Sequence, residues 1–190
     1  MVYRLKTARM RMKVFGFAGY SGSGKTTLIE QLIPRFVMEG LRVSVIKHAH
    51  HDFDIDRPGK DSYRHREAGA LEVMLTAGNR WVLMHELRGQ SEPDLPQQLS
   101  RLSSCDLVLV EGFKRQPIPK LEVHRKAAGA PLIFPGDSTV VAVATDEPLD
   151  ARLPQFGLQD YDDMAAFIMN HLGLGQTGLL AAATAAVKPA

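Results

Sequence analysis

A single cysteine, Cys105, leaves the chain without an internal disulfide and without a cysteine-built zinc site. That suits a reducing compartment, and a cytoplasmic location is the expectation. Long apolar runs are missing as well: no stretch reaches the roughly 18 consecutive apolar residues that a membrane span needs. The first residues do not read as a secretory signal, because Arg4, Lys6, Arg9 and Arg11 interrupt them and no apolar core follows. An excess of one charge is also lacking. The net charge is +2 over 190 residues, a weak field for a dedicated nucleic-acid binder, so no nucleic-acid partner and no membrane are expected. What is present is ordinary for a globular core, 45% hydrophobic and 23% charged residues. The length suits one domain with extensions. Residues 1–12 read as an N-terminal extension, 13–172 as a nucleotide-binding domain and 173–190 as a tail, in part helical.

The most informative stretch is Gly19-Tyr20-Ser21-Gly22-Ser23-Gly24-Lys25-Thr26, which fits G-x-x-x-x-G-K-[ST] without a mismatch. Its flanks satisfy the context that gives the motif meaning: a strand-like Val14-Phe15-Gly16-Phe17-Ala18 before it and a helical pattern after it. Glycines let the backbone turn its N–H groups inward as an anion nest, and the new helix adds its positive end. Lys25 would reach the β- and γ-phosphates, the Thr26 hydroxyl would ligate Mg²⁺, and Thr27 would meet the α-phosphate. A helix then carries Leu28, Ile29, Leu32, Ile33, Phe36 and Val37 on one face, with Pro34 expected to kink or break it and Gly40 to cap it. Leu41–His48 reads as the second strand, parallel to the first.

The next loop, His48 to Asp61, is rich in His and Asp. Three readings stand for it: a switch-like loop in which Asp52, Asp54, Asp56 or Asp61 supports the metal and the attacking water, a transition-metal site on His48, His50 and His51, or a plain polar loop. A short helix over Tyr63–Ala68 follows, ended by Gly69. Leu71–Thr76 and Arg80–His85 then read as antiparallel strands around Ala77-Gly78-Asn79, with Trp81 and the methionines expected in a core. Glu92–Pro96 opens a helix to about Ser103. Leu107–Val110 is a continuous apolar run, as in a strand buried on both faces, and ends in Glu111. An acid at that strand tip beside a phosphate loop is placed to hold Mg²⁺ or its water. Lys120–Arg125 and Thr139–Ala144 are further strands. Asp146 after the latter is either a reader of guanine N1 and N2 or an ordinary Asp turn. Asp160–Leu172 is an amphipathic closing helix. The elements together predict an α/β, P-loop NTPase-like, three-layer fold with a mostly parallel central sheet plus an antiparallel hairpin.

The phosphate loop with Thr27, Lys47-His48-Ala49-His50-His51, Asp56-Arg57-Pro58-Gly59-Lys60-Asp61-Ser62 and Val110-Glu111-Gly112-Phe113-Lys114 occur in that order. Together they closely resemble the molybdopterin-guanine dinucleotide biosynthesis adapter family, MobB, over about residues 13–172. The resemblance implies GTP binding with weak intrinsic GTPase activity, Mg²⁺, a homodimer, and association with the guanylyltransferase of molybdenum cofactor synthesis, with molybdopterin as a further candidate partner. Under that reading Lys25, Asp56 and Glu111 carry catalysis. Gly19, Ser21, Gly22, Ser23, Gly24, Lys25, Thr26, Thr27 and Asp146 hold the nucleotide, and Thr26 with Glu111 holds the metal. Two other readings use the same phosphate cradle: a small-molecule kinase, and a metallochaperone GTPase built on the histidines.

Overall fold

The computed structural model describes residues 12–49 and 53–175. The expectations for most of the N-terminal extension, for His50, His51 and Asp52, and for most of the tail lie outside the described residues. The chain divides into two compact units, the described parts of Met1–His48 with Leu102–Ala190, and of Ala49–Arg101.

The first unit is a six-stranded sheet in the order β2-β5-β1-β6-β7-β8, every neighbouring pair parallel. Its strands are β1 (Lys13–Ala18), β2 (Val43–Lys47), β5 (Leu107–Glu111), β6 (Lys120–His124), β7 (Val140–Thr145) and β8 (Gln155–Gly157). Helices α1 (Lys25–Met38) and α4 (Tyr161–Leu172) bring Leu28, Leu32, Phe36, Met164 and Ile168 into one cluster with Phe15, Phe17, Leu107, Leu109, Leu121 and Val123. Alternate residues of each strand face this layer, as the two-residue strand repeat requires. Each buried Phe of the cluster contributes roughly 1.5–3 kcal/mol. On the other side of β6, buried Lys120 and Glu122 bind loops: Lys120 Nζ donates to the carbonyls of Lys114 and Gln116 and to Asp137, and Glu122 accepts the amides of Ile133 and Phe134.

Several expectations change in detail. Helix α1 runs unbroken through Pro34. Pro34 and Glu30 are both exposed, so the carbonyl that loses its donor lies on the solvent side. Val37 leaves the apolar face and is exposed, while Ile33 is half-buried. Leu41 belongs to the helix end rather than to a strand. Its N–H returns to Phe36 O and that of Gly40 to Val37 O, with Gly40 at φ 81°, the double bond that closes a helix on a left-handed residue. β2 is therefore shorter than expected, and it is an edge strand. Three-residue β8, on the opposite edge, was not expected at all.

The second unit holds α2 (Asp61–Glu67), the antiparallel hairpin β3 (Glu72–Ala77) and β4 (Arg80–His85), and α3 (Leu95–Arg101). The hairpin turn is Gly78-Asn79 alone, since Ala77 pairs with Arg80. Helix α3 ends at Arg101, earlier than expected, and starts on a reciprocal cap. Gln97 N–H donates to Asp94 Oδ1 and Asp94 N–H to Gln97 Oε1, at 2.8 and 2.9 Å. Trp81 and Met74 are not core residues: they are 60% and 57% exposed.

Candidate functional site

The site stands at the carboxyl ends of β1, β5 and β2. Strand order alone brings its parts together. β5 lies between β1 and β2, and the register sets Glu111 beside Phe17 on one side and Lys47 on the other. Glu111 is thus delivered to the mouth of the loop that follows β1. Ligands of parallel sheets bind at this end.

The loop from Gly19 to Thr26 has the conformation its glycines allow. Gly19, Gly22 and Gly24 take φ of 147°, 77° and 96°, and Gly24 caps α1 in the left-handed region. A Cβ on Gly19 would sit 2.5 Å from Val123 O and 2.7 Å from Ser23 Oγ, so only glycine fits there. Ser23 is buried, while Ser21, Gly22, Thr26 and Thr27 are exposed along the rim of the loop. Lys25 Nζ folds over the loop and donates to Tyr20 O at 2.8 Å, with Ser23 Oγ at 3.5 Å. The Thr26 hydroxyl donates to Glu111 Oε1 at 2.9 Å. The structure therefore brings Glu111 onto Thr26, 85 positions away in sequence and next to Lys25.

Three further cations complete the surround. Lys47 Nζ lies 3.3 Å from Thr26 Oγ1 and 3.6 Å from Glu111 Oε1. Lys114 Nζ sits 4.1 Å above the Tyr20 ring. Arg125 Nε donates to Ser23 O at 3.1 Å, and its guanidinium lies against Gly24. Burial holds the Lys25 ammonium below the usual lysine range; Glu111 opposes this, and the charges of Lys114 and Lys47 reinforce it. A polyphosphate would relieve that repulsion. Sequence reasoning places the 112–115 loop, with Lys114, on this rim but passes over Lys47 and Arg125, although each stands at the carboxyl end of a strand.

The oxygen pair of Thr26 and Glu111, one of them a buried carboxylate, is the donor chemistry that a hard divalent cation takes. These residues fit Mg²⁺. Asp146 is exposed after β7, and its Oδ1 accepts the Lys126 amide at 2.9 Å. Asp56 belongs to the second unit. There its carboxylate accepts from Ser62 Oγ at 2.7 Å, the Arg57 amide at 3.0 Å and Arg66 Nε at 3.2 Å. Burial works against its ionised form, yet those donors hold the carboxyl below the usual range. Arg66 also binds Glu86 and Asp54, so Asp56 orders its own loop through this hub. Among the described residues no group of three or more His, Cys, Asp or Glu could hold a metal ion.

A parallel sheet with a glycine loop feeding a helix, and an acid from the neighbouring strand on the loop's threonine, define a P-loop NTPase-like α/β protein. The family model for molybdopterin guanine dinucleotide synthesis protein B, MobB, matches residues 14–146, and the chain belongs to that family. Over 173 residues it is 44% identical to the molybdopterin-guanine dinucleotide biosynthesis adapter protein of Haemophilus influenzae, covering 90% of this chain and 96% of that protein. The Escherichia coli protein of the same description is 43% identical over 159 residues, covering 82% and 91%. A crystal structure of molybdopterin-guanine biosynthesis protein B superposes with a TM-score of 0.68 at 27% identity, over 84% of this chain and 98% of that one. A MobB homologue from Bacillus stearothermophilus gives 0.62 at 28% identity, over 85% and 98%.

Proposed function

We propose that the chain is a GTP-binding adapter in molybdopterin guanine dinucleotide synthesis, acting with the guanylyltransferase that attaches the nucleotide. The family supports the adapter role, and the Lys25–Thr26–Glu111 geometry carries the nucleotide reading. Lys25 and the loop amides bind the phosphates, and Thr26 and Glu111 hold Mg²⁺, which supplies charge neutralisation at the terminal phosphate. The side chains around the loop, Lys25, Lys47, Lys114 and Arg125, carry the charge to hold and neutralise phosphate. Weak hydrolysis is part of the same reading, which the family resemblance implies. Asp146 selects guanine. In equilibrium titrations with labelled nucleotides, GTP is expected to bind more tightly than ATP. Asp146→Ala is expected to cost GTP about tenfold or more, the worth of charge-assisted hydrogen bonds, with little change for ATP. Equal affinities in the parent protein overturn the guanine assignment.

A homodimer is part of the same reading, and its support is the hairpin. Met74, Leu83 and Trp81 share one face of β3–β4 and are all exposed. A two-stranded sheet with an uncovered apolar face is marginal alone. Trp81→Glu is expected to turn a dimer into a monomer by light scattering at micromolar concentration. A Trp81→Glu protein that stays dimeric removes the hairpin from the interface.

A further inference from the structure

An ammonium of the protein itself stands beside the oxygen pair of Thr26 and Glu111. Lys47 ends edge strand β2, directly beside Glu111 in the register of the sheet. Its Nζ donates to Thr26 Oγ1 at 3.3 Å and stands 3.6 Å from Glu111 Oε1, while those two oxygens are 2.9 Å apart. The ammonium thus caps the oxygen pair that a divalent cation would use. Mg²⁺ takes such oxygens at about 2 Å in near-octahedral order, which leaves no room for an ammonium on the same two atoms. Two cations at that spacing also repel strongly beside a buried carboxylate. The side chain is free to leave: it is 56% exposed and hangs on a long flexible stem.

We infer that Lys47 is a positioning residue that stands in for the metal, holding Thr26 and Glu111 in their ligating geometry until Mg²⁺ displaces it. Metal affinity is then set by competition with a tethered ammonium, and nucleotide loading is coupled to movement of Lys47. This rests on the reading of Thr26 and Glu111 as metal ligands. Glu111 without Lys47 would be a buried carboxylate that keeps the Thr26 hydroxyl and the charge of Lys25 nearby, and would be more open to a metal.

The test is Mn²⁺ binding, followed by the electron paramagnetic resonance signal of the free ion, on full-length protein with a non-hydrolysable GTP analogue. Lys47→Met is expected to bind Mn²⁺ about tenfold or more tightly, a modest share of the repulsion expected at this separation. Lys47→Arg is expected to retain the competition. Glu111→Gln is run beside them. Mn²⁺ affinity lost in Glu111→Gln but unchanged in Lys47→Met overturns the competition alone. Mn²⁺ affinity unchanged in Glu111→Gln overturns the metal reading and the inference with it. Analogue binding in EDTA that weakens in Lys47→Met, with Mn²⁺ affinity unchanged, assigns the lysine to phosphate instead and overturns the inference.

Discussion

Lys25→Ala is expected to lower GTP affinity on the order of 100-fold or more while leaving the fold intact, as read by titration with a fluorescent GTP analogue and by circular dichroism. The asymmetry follows from where the side chain spends its hydrogen bonds. In the free protein Lys25 Nζ donates to the carbonyl of Tyr20, which is exposed, so water replaces the lost donor at little cost. In the proposed complex the same ammonium would face the β- and γ-phosphates, where water is a poor substitute for a fixed charge. Lys114 and Arg125 cannot cover the loss, because they are held on the Tyr20 ring and the Ser23 carbonyl. Tight binding by the Lys25→Ala protein would sink the assignment of the loop.

The second large effect falls on stability. Asp137→Ala is expected to cost about 3 kcal/mol or more in urea unfolding. Lys120 is 1% exposed, and Asp137 is the carboxylate that compensates its charge, at 2.9 Å. Burial works against the ionised Asp137, but the Thr139 hydroxyl and Lys120 hold its pKa below the usual range, so the carboxyl is ionised at neutral pH. Removing the acid leaves a buried ammonium on two carbonyls alone. Adding Lys120→Met to Asp137→Ala is expected to recover part of the loss, because the double variant no longer buries a charge. If Asp137→Ala unfolds at the urea concentration of the parent, the buried pair does not hold the loops. The same lysine ties the Lys114 and Gln116 carbonyls, so it fixes the loop that carries Lys114 to the phosphate rim.

Local features were legible. The glycine loop reads directly because its demands are local: left-handed backbone at Gly22 and Gly24, no room for a Cβ at Gly19. The apolar run from Leu107 to Val110 announced a strand covered on both faces, and all four residues are buried. The hairpin was legible from its turn. Its surroundings were not, because apolar character gives a side chain a preference for cover without naming what covers it, and Trp81 stands exposed. Pro34 misled in the same way: its cost depends on which side of the helix faces water. Three-residue β8 is too short to show an alternation.

By itself, then, the sequence determined the glycine loop, the acid at the tip of the buried strand, the family and most of the succession of strands and helices. Each of these is written in neighbouring residues whose backbone limits and periodicity act over a turn or two of chain. Tertiary structure alone decided that β5 enters between β1 and β2, which sets Glu111 on Thr26 and Lys47 over both. Strand order is a property of the whole sheet, chosen by packing among distant segments, and no local pattern encodes it.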